Sequence, residues 1–72
     1  MRNNYNNIKD LLSDLSPYTN QSALARICGI NEGQMRQYSS GVRNPSKKTI
    51  DKINEKIRIF AEELAKVQIT GA

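Results

Sequence analysis

The sequence predicts an all-α domain of four helices, the last of them long, and three observations carry that prediction. Apolar residues recur at steps of three and four through most of the chain, the period of one helix face. Gly29, Gly41, Pro17 and Pro45 fall between those periodic stretches rather than inside them. Sixteen Ile, Leu, Val and Phe residues in a 72-residue chain supply one compact core and no second, and a few packed helices bury such a core most economically.

The first segment, 1–7, holds four asparagines and reads as a fraying end or linker. Ile8, Leu11, Leu12 and Leu15 then follow the i, i+3, i+4, i+7 pattern, with Tyr5 one turn earlier, so a first helix is expected over about 5–15. Ser16-Pro17 ends it, because proline disfavours helical geometry in the residue before it. Tyr5 and Tyr18 are expected to cover its two ends. Asn20 is suited to cap a second helix over 21–28, whose apolar face carries Leu24, Ile27 and Cys28. Gly29 sits where a helix end favours a left-handed residue, and Ile30 follows it as an apolar plug. Asn31 can cap a third helix at once, over about 32–39, which buries Met35 and Tyr38. The stretch Gly41-Val42-Arg43-Asn44-Pro45 is a loop, and Ser46 caps a fourth helix expected over about 46–69. Along it Ile50, Ile53, Ile57, Phe60, Leu64 and Val67 step by three and four as an a/d heptad. The first three suit the domain's own core. Phe60, Leu64 and Val67 project beyond it and are expected to pack on a second copy of the chain or on the first helix.

Composition excludes several kinds of chemistry. The absence of histidine removes the serine–histidine and cysteine–histidine nucleophile pairs and the commonest metal ligand. A single cysteine, Cys28, forms neither an internal disulfide nor a zinc site, and its place on an apolar face marks it as a small core residue. The acids Asp10 and Asp14, like Asp51 and Glu55, lie one turn apart on exposed helix and form no cleft pair. No glycine-rich phosphate loop is present. The expectation is a protein that is not an enzyme, with no cofactor and no metal. No apolar run approaches the roughly 18 residues of a membrane span, so a soluble, cytoplasmic, nucleoid-associated protein is expected. The formal charge is +4, and between Arg36 and Lys48 there are four basic residues and no acid. Such a local stripe is the electrostatic footprint of a phosphate-binding face, and equally that of an ordinary solvated surface.

The constellation that separates those two readings is a pair of short helices joined by a tight glycine turn, the unit that presents its second helix to the DNA major groove. Small Ala25 lets the pair approach, Gly29 turns the chain, and Leu24, Ile30 and Met35 lock it from inside. The run Gln21-Ser22-Ala23-Leu24-Ala25-Arg26-Ile27-Cys28-Gly29-Ile30-Asn31 resembles the first half of the Cro/repressor (XRE-type) helix-turn-helix motif. Met35, Tyr38, Gly41 and Arg43-Asn44-Pro45-Ser46 match its second half, and the resemblance extends over about 21–57. It implies a repressor-like fold, double-stranded DNA as partner and a transcriptional regulator. A narrower resemblance, carried by Thr49-Ile50-Asp51-Lys52-Ile53-Asn54-Glu55-Lys56-Ile57, is to the DNA-binding tail of HicB-type antitoxins, which implies an autoregulatory role and a toxin partner.

Within the third helix, Gln34 is the leading base reader, since an amide can contact adenine in two places. Arg36 and Gln37 follow, Arg36 reading guanine or clamping a phosphate. Glu32 can accept from cytosine or simply favour the helix dipole. Gly33 departs from the family's habit of placing a side chain there, so either the backbone approaches DNA or one base goes unread. Gln21 resembles the family's phosphate-contacting glutamine, and Arg43, Lys47 and Lys48 are expected to hold the flanking backbone. A homodimer using Phe60, Leu64 and Val67 would place two reading helices about one DNA turn apart, roughly 34 Å. In a parallel pairing Lys56 faces Ala61 and Glu63 faces Gln68, so no interhelical ion pair results. A different class of function stays open at this point: a helical protein-interaction module whose fourth helix docks a partner. RNA binding is a weaker alternative, because no aromatic stacking set is present.

Overall fold

The computed structural model describes residues 1–71. Among them the chain forms four helices and no strand: α1 (Ile8–Leu15), α2 (Gln21–Cys28), α3 (Glu32–Ser40) and α4 (Lys47–Ala65). The fold class is therefore the all-α one expected.

Each helix starts on a side-chain cap. The side-chain oxygen of Asn7 accepts from the Asp10 amide at 2.8 Å, that of Asn20 from Ala23 at 2.9 Å, and Ser46 Oγ from Thr49 at 3.2 Å. Asn31 serves α3 twice, accepting from Gly33 at 2.8 Å and Gln34 at 3.2 Å. The Asn7 cap corrects the expected start of the first helix. Asn7 is extended (φ −156°, ψ 165°), so the helix nucleates at Ile8 and Tyr5 lies outside it. The arm before it is tied down rather than loose: Tyr5 Oη donates to Asp14 Oδ2 at 2.8 Å, and Arg2 spans the same carboxylate (3.3 Å) and the Tyr5 ring (4.7 Å). Tyr18 does not cover the other end of α1, since it points into solvent at 82 % exposure.

The turn between α2 and α3 is set by Gly29, left-handed at φ 66°, ψ 34°. Its N–H reaches back to Arg26 O at 3.3 Å and the Ile30 N–H to Ala25 O at 3.0 Å, which satisfies carbonyls that the helix end would otherwise leave open. Lys52 of α4 then donates to Gly29 O at 3.2 Å, tying the long helix to the turn. α2 packs on both α3 and α4, and α1 packs on α3. Their shared core is Ile8, Leu24, Ala25, Cys28, Met35, Tyr38 and Ile53, with Leu12, Ile30 and Ile57 partly buried around it. Cys28 and Met35 are fully enclosed. Burial pushes the Cys28 thiol above its ordinary range, against a smaller opposite pull from Lys52, so the group is a neutral packing element.

α4 departs from expectation in two places. It ends at Ala65, with Lys66 as its cap, so Val67 and Ile69 lie beyond it and the heptad stops at Leu64. The remaining β-branched residues have no neighbours to pack on, and without burial their helix propensity is too weak to continue the turn. Ile50 is also out of the core at 43 % exposure: it shares a face with Ile53 and Ile57, but the core meets α4 only at those two later positions. Phe60 and Leu64 remain 46 % and 58 % exposed, and α1 does not cover them. The protruding helix gives the molecule its extents of 47 × 24 × 24 Å.

Two outcomes follow from this packing. A Cβ at Gly29 would meet nothing within 4 Å, so Gly29→Ala is a pure backbone test. It should cost about 1–2 kcal/mol in urea unfolding, the usual penalty for an L-residue held left-handed. At the arm, the Tyr5 hydroxyl and then Arg2 hold the Asp14 carboxyl below its ordinary value, against an opposing effect of desolvation. A depressed folded-state pKa stabilises the fold above the ordinary carboxylate range and is lost as the pH falls through the lowered value. Tyr5→Phe should raise the Asp14 pKa read by NMR titration. An unmoved Asp14 would show that the arm is not bound there.

Candidate nucleic-acid interface

The surface of α3 away from the core is polar and runs into the loop that follows it. Asn31, Gly33, Gln34, Arg36, Gln37 and Arg43 line one shallow groove there. The loop is brought back onto the helix by the left-handed Gly41 (φ 81°) and by the Arg43 N–H, which donates to Gln37 O at 3.2 Å. That bond carries the Arg43 side chain, distant in sequence from Gly33, to the same groove. Four of the five residues expected to meet bases therefore sit together with one expected to hold phosphate.

The fifth, Glu32, lies outside the groove. Its carboxylate accepts from Ser22 Oγ, so it joins α3 to the start of α2 while sitting in the first turn, where the helix dipole favours an acid. Gly33 has a local reason to be glycine. A Cβ there would come within 3.1 Å of Asn31 Oδ1, the atom that caps α3. A side chain there would oblige the cap to give by a few tenths of an ångström, a local constraint distinct from backbone approach to DNA or an unread base.

The groove's polar groups are held to different degrees. Gln34 is half-buried, and its Nε2 donates to Tyr38 Oη at 2.8 Å. Gln37 and Arg36 are exposed, with no side-chain partner among the described residues. Gln21 opens α2, and its Oε1 accepts from Ser39 Oγ at 2.6 Å, a second polar tie between α2 and α3. With the acceptor end engaged inside, the donor end of that amide is the part left for solvent or an anion.

Lys47 and Lys48 occupy the first turn of α4, which contains no acid. Cations there oppose the helix dipole, so two lysines at this end stand against local stability. Lys47 pairs with Asp51 at 3.3 Å, but with side chains 90 % and 64 % exposed that pair holds it weakly and leaves it free to be recruited. Lys48 has no described partner. Asn31 is the groove residue that sequence reasoning assigned only to capping. Its position one residue before α3 was the available signal, because a capping amide exposes its nitrogen where its oxygen is bound.

Among the described residues no group of three or more His, Cys, Asp or Glu side chains could hold a metal ion, and no helix is long and apolar enough to cross a membrane. Compared with known proteins, the chain matches no family model, no curated protein and no solved structure. A functional reading rests on the geometry of this face.

Proposed function

We propose that the chain binds double-stranded DNA in a sequence-specific manner and acts as a transcriptional regulator, a repressor by occupancy, with α3 in the major groove. The observation that supports it most directly is the groove itself. Three long polar side chains, Gln34, Arg36 and Gln37, project from one helix beside Arg43, and no large apolar side chain interrupts them. A protein-docking face would present buried-type anchors at its centre. A major-groove reader needs hydrogen-bonding groups there, flanked by cations for phosphate. Gln21 at the start of α2, Arg43, Lys47 and Lys48 supply the flank in this reading. The two lysines at the positive end of α4 then have a use that offsets their local cost.

The second part of the proposal is a homodimer. Phe60 and Leu64 lie on the protruding half of α4, and Val67 and Ile69 follow it at 69 % and 91 % exposure. A second copy of the same surface would cover them and give two reading helices for a pseudo-palindromic site. Toxin recognition by the same residues has no observation of its own in its favour.

The assignment of roles is tested by two substitutions. Arg43→Ala should weaken binding to every duplex and reduce the steepness of the salt dependence by about one unit. Gln34→Ala should relax preference at one base pair, at a cost of about 1–3 kcal/mol. Equal effects of both on selected and random DNA would refute the division into phosphate and base contacts. For the dimer, sedimentation at rising concentration should show self-association that Leu64→Glu abolishes, with half-site binding retained. A wild-type chain that stays monomeric at concentrations that saturate DNA contradicts it.

A further inference from the structure

We infer that Tyr38, through its phenol oxygen, is a positioning residue that fixes how Gln34 meets a base and thereby selects adenine. The inference rests on the DNA-reading role of α3 proposed above and adds to it a residue and a base.

Tyr38 is 4 % exposed, and its ring belongs to the core with Met35, Leu24 and Ile53. A phenylalanine would fill the same space. The hydroxyl is what a core position does not need, and it lies at the edge of the reading face. There it accepts from Gln34 Nε2 at 2.8 Å, one helical turn back. No other side-chain hydrogen bond to this oxygen occurs among the described residues. A buried ring with few rotamers thus serves as a fixed post for a flexible amide. Part of the ordering that base contact requires is already done before DNA arrives.

The bond also determines which groups remain. A carboxamide carries two N–H donors and one carbonyl acceptor. With one N–H given to Tyr38, Gln34 keeps one donor and one acceptor. Adenine presents the complement in the major groove, an acceptor at N7 beside a donor at N6. Guanine offers two acceptors, cytosine a donor alone, and thymine an acceptor beside a methyl group, so each matches only half of the anchored amide. Gln37 has no such post, since its side chain is exposed and unbonded.

The test compares wild type, Tyr38→Phe, Gln34→Ala and the double variant. Each is titrated with the selected site, with the three replacements of the base pair that Gln34→Ala identifies, and with random duplex. Urea unfolding is followed in parallel to verify that all four fold. Tyr38→Phe should lower the preference for adenine at that pair by roughly three- to tenfold, the range of one hydrogen bond. Binding to random duplex should be unchanged, and the substitution should cause no further loss when Gln34 is already alanine. Undiminished preference in Tyr38→Phe overturns the inference, as does an equal loss in the Gln34→Ala background, which marks a packing effect. A Gln34→Ala chain with no affected base pair, or a preferred base other than adenine, overturns it as well. Those outcomes arise in a selective wild-type chain and leave the DNA reading in place, whereas a wild type with no sequence preference overturns both.

Discussion

The polar face of α3 exists only because the chain reverses between α2 and α3 in three residues, and that reversal depends on one left-handed backbone position, Gly29. The residue's φ of 66° lets its own amide and that of Ile30 turn back onto α2 and delivers Ile30 to the edge of the core. Asn31 can then cap α3 without an intervening loop. Met35 and Tyr38 pack against Leu24, Ala25 and Cys28 from the far side, so the rotation of α3 about its own axis is fixed by the same core. What faces outward follows from what must face inward. Lys52 closes the arrangement by bonding the carbonyl of the turn from α4.

Around this joint the molecule uses polar side chains as fasteners. Ser22 holds Glu32, Ser39 holds Gln21 and Tyr38 holds Gln34. All three bonds involve α3, and each leaves or removes a specific donor or acceptor at the surface. Glu32 is thereby withdrawn from the groove and contributes to the joint. Gln21 and Gln34 are each half-committed and present their other end. In the proposed function, the Ser39–Gln21 tie between α2 and α3 and the Tyr38–Gln34 bond within α3 orient groups that meet DNA. The basic residues follow a different logic. Arg43, Lys47 and Lys48 have weak partners or none, which suits groups that act as mobile charges near phosphate.

Local chemistry made much of this legible in the sequence. Asn20, Asn31 and Ser46 read as caps because an N-cap needs only a short acceptor and free amides three residues on, and the structure shows those bonds. Gly29 read as a turn for the same reason. The misreadings along α4 share a cause as well, since each depended on distant packing. An apolar period suggested that α4 continues to 69, yet with nothing to cover Val67 and Ile69 the helix stops at Ala65. The same pattern placed Ile50 inside, whereas the core reaches only Ile53 and Ile57. At the amino end, the asparagines read only as a fraying end or linker, yet Asn7 caps α1 and sets its start at Ile8, which leaves Tyr5 outside. Within the groove, the helical period placed Gly33, Gln34, Arg36 and Gln37 correctly on α3. It carried no information on the ties of Glu32 to Ser22 and of Ser39 to Gln21, which join residues ten and eighteen positions apart on different helices.

The central claim is that this face reads DNA, and one measurement addresses it directly: titration of the chain against random-sequence duplex at two salt concentrations, followed by selection of the bound sequences. The account predicts binding that weakens steeply with salt and enriches a site of two inverted half-sites about one turn apart. Absence of binding even at low salt would contradict it and shift attention to the exposed apolar residues of α4 as the contact surface for a protein.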